Sequence, residues 1–175
     1  KMELNEDVNK FFKSWLFYCL TGSTEEQIFL FQLGESAANG KSTLFSIMSK
    51  CFEFYTFKLD SKVFDLNYAQ AHKQFAILID KPVRFAYIEE LGSKQIDGQL
   101  LKDTVDGEMN VNIMFSTADV CKSQAKINIA GNGILTIKLD KGVSRRMKVK
   151  ECLSQFLPDQ EFDDYENKKF IRDGL

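Results

Sequence analysis

The sequence predicts an α/β fold, a mostly parallel central sheet flanked by helices. Three observations predict it. Apolar runs of strand length alternate with stretches of helical spacing through the first half of the chain. The runs near residues 27–33 and 83–88 are apolar almost throughout, as strands covered on both faces are. With 44% hydrophobic residues in 175, the chain has material for one packed core and is too apolar for disorder.

The elements follow in order. Val8, Phe11, Phe12, Trp15, Leu16, Cys19 and Leu20 recur at helical spacing, which predicts an amphipathic helix over 8–21 with Gly22 as its C-terminal stop. Gln27 to Leu33 (QIFLFQL) reads as a buried strand, and Gly34 to Gly40 as a loop of small residues. Helical spacing returns over Lys41 to Phe52 through Leu44, Phe45, Ile47, Met48 and Cys51. Leu59 to Phe64 fits neither period. Gln70 to Ile79 reads as a helix, broken at Lys81-Pro82. Val83 to Ile88 (VRFAYI) is a strand ending in Glu89 and Glu90. Asp97 to Thr104 is a short helix and Asp106-Gly107 a turn. Strands are predicted over Met109 to Phe115, Ala125 to Ala130, Ile134 to Leu139 and Met147 to Lys150. In this reading residues 1–24 are a helical lead-in, 25–157 the core, and 158–175 a charged tail leading to further segments, the whole being a piece of a longer chain.

Composition excludes several classes. The formal net charge of −2 argues against a monomer that binds nucleic acid with its whole surface. It leaves room for a few lysines placed in one channel. Four scattered cysteines and one histidine give no zinc spacing and no disulfide framework, so buried, reduced cysteines are expected. No apolar run is long enough for a membrane span and no signal peptide is evident, which predicts a soluble intracellular protein with no membrane partner. Phenylalanine, at 16 against 5 tyrosines, reads as core filling.

The motif richest in chemistry is Gly34 to Thr43 (GESAANGKST), between a strand and a helix. A phosphate cradle needs small residues so that backbone N–H groups approach the oxygens, and a helix N-terminus to face the anion. Gly34, Ala38, Asn39, Gly40, Lys41, Ser42 and Thr43 are the candidate nucleotide-binding residues. Lys41 would reach the terminal phosphates and Ser42 would ligate magnesium. Five residues separate Gly34 from Gly40, where the usual phosphate loop has four, so the loop either carries one extra residue or starts its turn elsewhere. A chance GKS in an ordinary loop is the competing explanation.

Glu89 and Glu90 sit where a parallel strand delivers acids to its C-terminal edge. Glu89 is assigned to the metal and Glu90 to activation of the attacking water, with exchange of the two roles left open. A solvent-exposed strand end would carry such a pair too. Asn132, between Gly131 and Gly133, is either a turn residue or an amide holding water beside the γ-phosphate. Arg145 and Arg146 are either a surface pair or an arginine finger for a neighbouring subunit.

In this order the motifs resemble the superfamily 3 helicases, and among them the primase–helicase ATPases of nucleocytoplasmic large DNA viruses. The segments that carry the resemblance are FFKSWLFYCLTGSTEEQIFLFQLG, AANGKST, RFAYIEE, LLKDTVDGEMNVNIMF, AKINIAGN and LDKGVSRRMKV with SQF after it, spread over roughly residues 10–157. The resemblance implies a P-loop NTPase fold of the AAA+ type with a β-hairpin before the sensor strand. It implies ATP and Mg²⁺ as cofactors, a homohexameric ring with ATP hydrolysed at subunit interfaces, and single-stranded or forked DNA as partner. A primase domain in the same chain is a further candidate partner, in the host cytoplasm or nucleus. Carried over by position, Lys41 and Ser42 bind phosphate and magnesium, Glu89 and Glu90 form the acidic motif, and Asn132 is the sensor. Arg145 or Arg146 is the finger, and Lys122 and Lys126 contact DNA from the hairpin region. Gly133 stands where the family usually has proline.

A ring-assembly module that binds ATP but unwinds little is the alternative within the same fold. A small-molecule kinase is disfavoured: there are only four arginines, Arg84, Arg145, Arg146 and Arg172, and no arginine-rich lid.

Overall fold

The computed structural model describes residues 6–34, 38–65, 71–91, 96–109, 121–132, 141–157 and 169–171. Its centre is a five-stranded sheet in the order β2-β3-β6-β1-β7. The strands are β1 (Phe29–Leu33), β2 (Thr56–Lys58), β3 (Phe85–Ile88), β6 (Lys126–Gly131) and β7 (Met147–Glu151). Every pairing is parallel, so all five carboxyl ends lie on one edge. The predicted α/β architecture is therefore present.

Strand alternation divides the core into two layers. Leu30, Phe85, Tyr87 and Ala130 face one side, where they pack with Trp15 and Cys19 of α1 (Glu6–Leu20) and Phe45 and Met48 of α2 (Lys41–Cys51). Phe29, Phe31, Ala86, Ile88, Ile127 and Ile129 face the other. They meet Phe75 and Leu78 of α3 (Ala71–Asp80), Leu101 and Val105 of α4 (Gly98–Asp106), and Val143 of α5 (Lys141–Arg146). All six residues of β6 are buried. That is why the strand carries no polar alternation beyond Lys126 and Asn128.

Local chemistry sets the helix ends. Asp97 caps α4, its carboxylate accepting from the amides of Gln99 (2.9 Å) and Leu100 (3.0 Å). Gly107 closes the same helix at φ 77°, where an added Cβ would stand 2.9 Å from the Ser123 carbonyl oxygen. At α1 the outcome differs from expectation. Among the described residues the positive-φ glycines are Gly40 and Gly107, so Gly22 does not end α1 as a left-handed stop. The end of α1 instead receives two cations, Arg84 from just before β3 and Lys126 from the start of β6: Arg84 donates to the Leu20 carbonyl at 2.7 Å and Lys126 to the Thr21 carbonyl.

Several smaller elements were not legible. β2 has three residues, too few to show a period, and a 3₁₀ turn (Glu53–Tyr55) leads into it. Residues 59–64, ambiguous in the sequence, form turns that bury Leu59, Val63 and Phe64. The arginine segment, to which the sequence reading assigned no element, is helical, as α5. The start of the strand predicted over 109–115 is the short β4 (Glu108–Met109), which pairs antiparallel with β5 (Cys121–Lys122) as the base of a hairpin; residues 110–120 lie outside the described ones. The strand predicted over 134–139 also lies outside them. Beyond β7, β8 (Gln155–Leu157) pairs in parallel with β9 (Lys169–Ile171), which falls within the segment read as a tail. Cys19 and Cys152 are buried and reduced, but Cys51, at the end of α2, is exposed. Among the described residues no helix is long and apolar enough to cross a membrane.

Candidate functional site

The site is built on the carboxyl edge of the sheet, where β1, β3 and β6 end side by side. The Gly34 amide donates to the Gly131 carbonyl at 3.0 Å, locking the ends of β1 and β6 together. Gly34 is buried, and a Cβ placed on it would overlap the Asn39 amide and the Lys41 ammonium. Gly34 is thus the close-approach glycine of the loop despite the longer spacing to Gly40. Glu35 to Ala37 lie outside the described residues. The loop then turns through two left-handed residues, Ala38 at φ 59° and Gly40 at φ 79°. Gly40 starts α2 with no side chain capping it, and the first helical bond runs from the Leu44 amide to the Gly40 carbonyl at 3.0 Å. The first amides of an eleven-residue helix therefore face the loop, the arrangement that attracts an anion.

Lys41 is only 7% exposed. Its ammonium donates to Asn132 Oδ1 at 3.1 Å and to the Gly34 carbonyl at 3.5 Å. Burial lowers its pKa, and the nearby Cys152 and Glu90 oppose that shift. Ser42 and Thr43 are exposed on the first turn of α2.

The strand order gives this grouping its geometry. With β6 between β1 and β3, Asn132 stands between Lys41 and the two acids. Glu90 is exposed, and its charge is felt at Lys41. Glu89 is turned to the far side, in an ion pair with Lys58 at the end of β2. Sequence reading missed Lys58, because the strand that carries it was too short to recognise.

The two arginines separate. Arg146 makes a two-pronged pair with Asp106 at the end of α4, at 2.8 and 2.5 Å, and also donates to the Gly142 carbonyl at 3.2 Å. Arg145 is exposed and donates to Gln27 Oε1 at 3.1 Å. Lys122 is exposed at the hairpin base, opposite Glu108. Lys126 requires a correction. It was expected to face nucleic acid, but it is 3% exposed, bonded to the carbonyls of Thr21 and Gln124, with its ammonium 5.1 Å from the Tyr18 ring centroid. A first residue of a central strand has both faces covered, and its position opposite the end of α1 gives the charge a carbonyl partner instead of a phosphate.

Neither a family model nor a curated protein matches the sequence. Solved structures do. Two apo, A-form structures of the C-terminal region of NrS-1 superpose on 94% and 95% of this chain, with TM-scores of 0.60 and 0.62 at 16% identity. The chain shares their fold. It spans 38% of the length of those chains. A mostly parallel five-stranded sheet flanked by helices, with this loop at its carboxyl edge, is a fold consistent with a P-loop-like NTPase domain.

The group that a phosphate loop takes can be tested against the residues present. A cradle that a single Cβ would fill, two left-handed residues in the loop and uncapped helix amides fit a polyphosphate. Among the described residues no three His, Cys, Asp or Glu side chains cluster as a resident metal site. Such a site is not required of a magnesium ion that arrives with phosphates and uses one or two protein oxygens.

Proposed function

We propose that this chain is the ATP-hydrolysing core of a superfamily 3-type helicase, working on single-stranded or forked DNA as a homohexameric ring. The observation that carries the reading is the convergence of Lys41, Asn132 and Glu90 on the carboxyl edge of a parallel sheet, at the head of α2. The motif order that resembles the family and the fold shared with the NrS-1 C-terminal region support it.

In this reading the loop amides and Lys41 hold the β- and γ-phosphates. Lys41 exchanges its contacts to Asn132 and Gly34 for phosphate oxygens. Asn132, released, is placed to orient water between the ammonium and the acids. Glu90 lies on the Lys41 side and takes up the proton of that water. Ser42 and Glu89 are the residues that would hold magnesium, Glu89 by giving up Lys58. When bound, the ion supplies Lewis-acid stabilisation of charge on the phosphoryl oxygens. Arg145, exposed on the far side of the domain core, is the arginine placed to serve an adjacent copy; Arg146 is committed within its own chain.

The test is ATP turnover with and without single-stranded DNA over a range of protein concentrations. Turnover should rise faster than linearly with concentration and be stimulated by the strand, and Lys41→Ala should abolish it. Turnover that ignores DNA would favour the ring-assembly alternative. Undiminished turnover in Lys41→Ala would remove the site altogether.

A further inference from the structure

The row of strand ends continues past the phosphate loop. Acids, Asn132 and loop occupy the ends of β3, β6 and β1, and the next strand in the sheet is β7. The Lys41 ammonium donates to Asn132 past the end of β6 at 3.1 Å, and the two acids follow β3, so a terminal phosphate held by that ammonium points toward the β6–β3 flank. Its ribose and base must then leave across the opposite flank, over the end of β7.

The chain does not turn away there. The Cys152 amide donates to the Leu33 carbonyl at 2.7 Å, and the Phe156 amide donates to the Ala38 carbonyl at 2.8 Å. Ala38 is the left-handed residue of the loop itself. β8 is therefore fastened to the loop backbone and is braced by its pairing with β9. Along the strap Leu153 is 50% exposed, Ser154 is buried, and Gln155, Phe156 and Leu157 are half-buried. This places a strap that carries Leu153, Phe156 and Leu157 beside the loop, on the flank that the phosphates do not use.

We infer that β8 forms the wall of a nucleobase-and-ribose subsite, with Phe156 as the ring against which the base stacks. The inference rests on the phosphate-binding reading above. Every base presents a π-face, so stacking on phenylalanine separates nucleotides from bare polyphosphate without choosing sharply among purines. The subsite takes purine nucleoside triphosphates as a class, with ATP and GTP bound within a few-fold of each other, as stacking alone provides.

The test compares binding of ATP, GTP and inorganic tripolyphosphate, each with magnesium, to the whole chain. ATP should bind about tenfold more tightly than tripolyphosphate. Phe156→Ala should bring ATP down to the tripolyphosphate level and leave tripolyphosphate unchanged, and Phe156→Tyr should restore the difference. A Phe156→Ala variant that keeps the wild-type ratio overturns the subsite while leaving the phosphate loop intact. Failure of tripolyphosphate to bind the wild-type chain overturns the phosphate reading and the subsite with it. Photolabelling of the unaltered chain with 8-azidoadenosine triphosphate does not depend on how a variant folds. Label should fall on the peptide covering residues 152–157, and label confined to other peptides refutes the assignment.

Discussion

At the scale of single residues, two lysines that look alike in the sequence have opposite surroundings. Lys58 is exposed and paired with Glu89, so the pair contributes at most about 1 kcal/mol to stability. In the proposed reading its effect belongs to the site, where Lys58 competes with magnesium for Glu89. Lys58→Ala is expected to lower the magnesium concentration needed for half-maximal ATP turnover several-fold with little change in melting temperature. An unchanged magnesium dependence would take Glu89 out of the metal role. Lys126 is buried, and burial lowers its pKa from the usual 10.5 to about 8. The folded state thus releases this proton before the unfolded chain does. Below about pH 8 the penalty for holding a buried ammonium is complete; between about 8 and 10.5 the unfolded chain binds more protons, so stability rises with pH. Cys19 acts in the opposite sense, since burial raises its thiol from 9.0 to about 12 and favours the fold less as pH climbs past 9.0. Comparing wild type with Lys126→Met isolates the lysine: the melting temperature of wild type relative to the variant should rise from pH 7.5 to 9.5. A flat difference would mean that Lys126 stays solvated.

At the scale of elements, the pairing of α4 with α5 turns on one contact. Arg146 and Asp106 are both mostly covered and meet through two parallel bonds. Arg146→Ala should cost about 2 kcal/mol of unfolding free energy, measured by urea denaturation, because it leaves the Asp106 carboxylate partly buried without its partner. Lysine cannot reproduce the fork, so Arg146→Lys should recover little. Arg145→Ala should leave stability unchanged and stop hydrolysis while ATP still binds. Equal stability loss in both variants would contradict this division. The sequence placed the two arginines together at one expected finger but could not divide their labour, because Asp106 lies forty positions away and only the α4–α5 packing brings it near. The long, strongly periodic elements, α1, α2 and α3, and the apolar strands β1, β3 and β6 were legible because each carries its burial pattern within its own residues. β2, β8 and β9, three residues each, were not, since a short strand is specified by the partner it finds. For the same reason Lys58 escaped notice and Phe156 stood only within the SQF segment of the resemblance with no role assigned, while Lys41, Glu90 and Asn132 were legible: the latter follow elements that announce themselves.

At the scale of the whole molecule, the site is one-sided. Lys41 is the cation bonded to the loop, while Lys58, Arg84 and Arg146 are engaged by Glu89, the Leu20 carbonyl and Asp106, and Lys150 lies beside Cys152. In the proposed reading a triphosphate with one magnesium carries more negative charge than Lys41 balances, and the arginine of a second copy supplies the remainder. Mixing Arg145→Ala with Glu90→Gln should partly restore turnover, since each chain supplies what the other lacks. Absence of recovery at every mixing ratio would argue against shared sites. These measurements have a built-in optical reporter. The chain has one tryptophan, Trp15, 2% exposed, whose indole N–H donates at 2.7 Å to Asn128 in the middle of β6, four residues before Asn132. Fluorescence from this indole therefore originates on α1 at its contact with the strand that leads to Asn132, and its colour and intensity follow the docking of α1 on β6 without any dye or label attached.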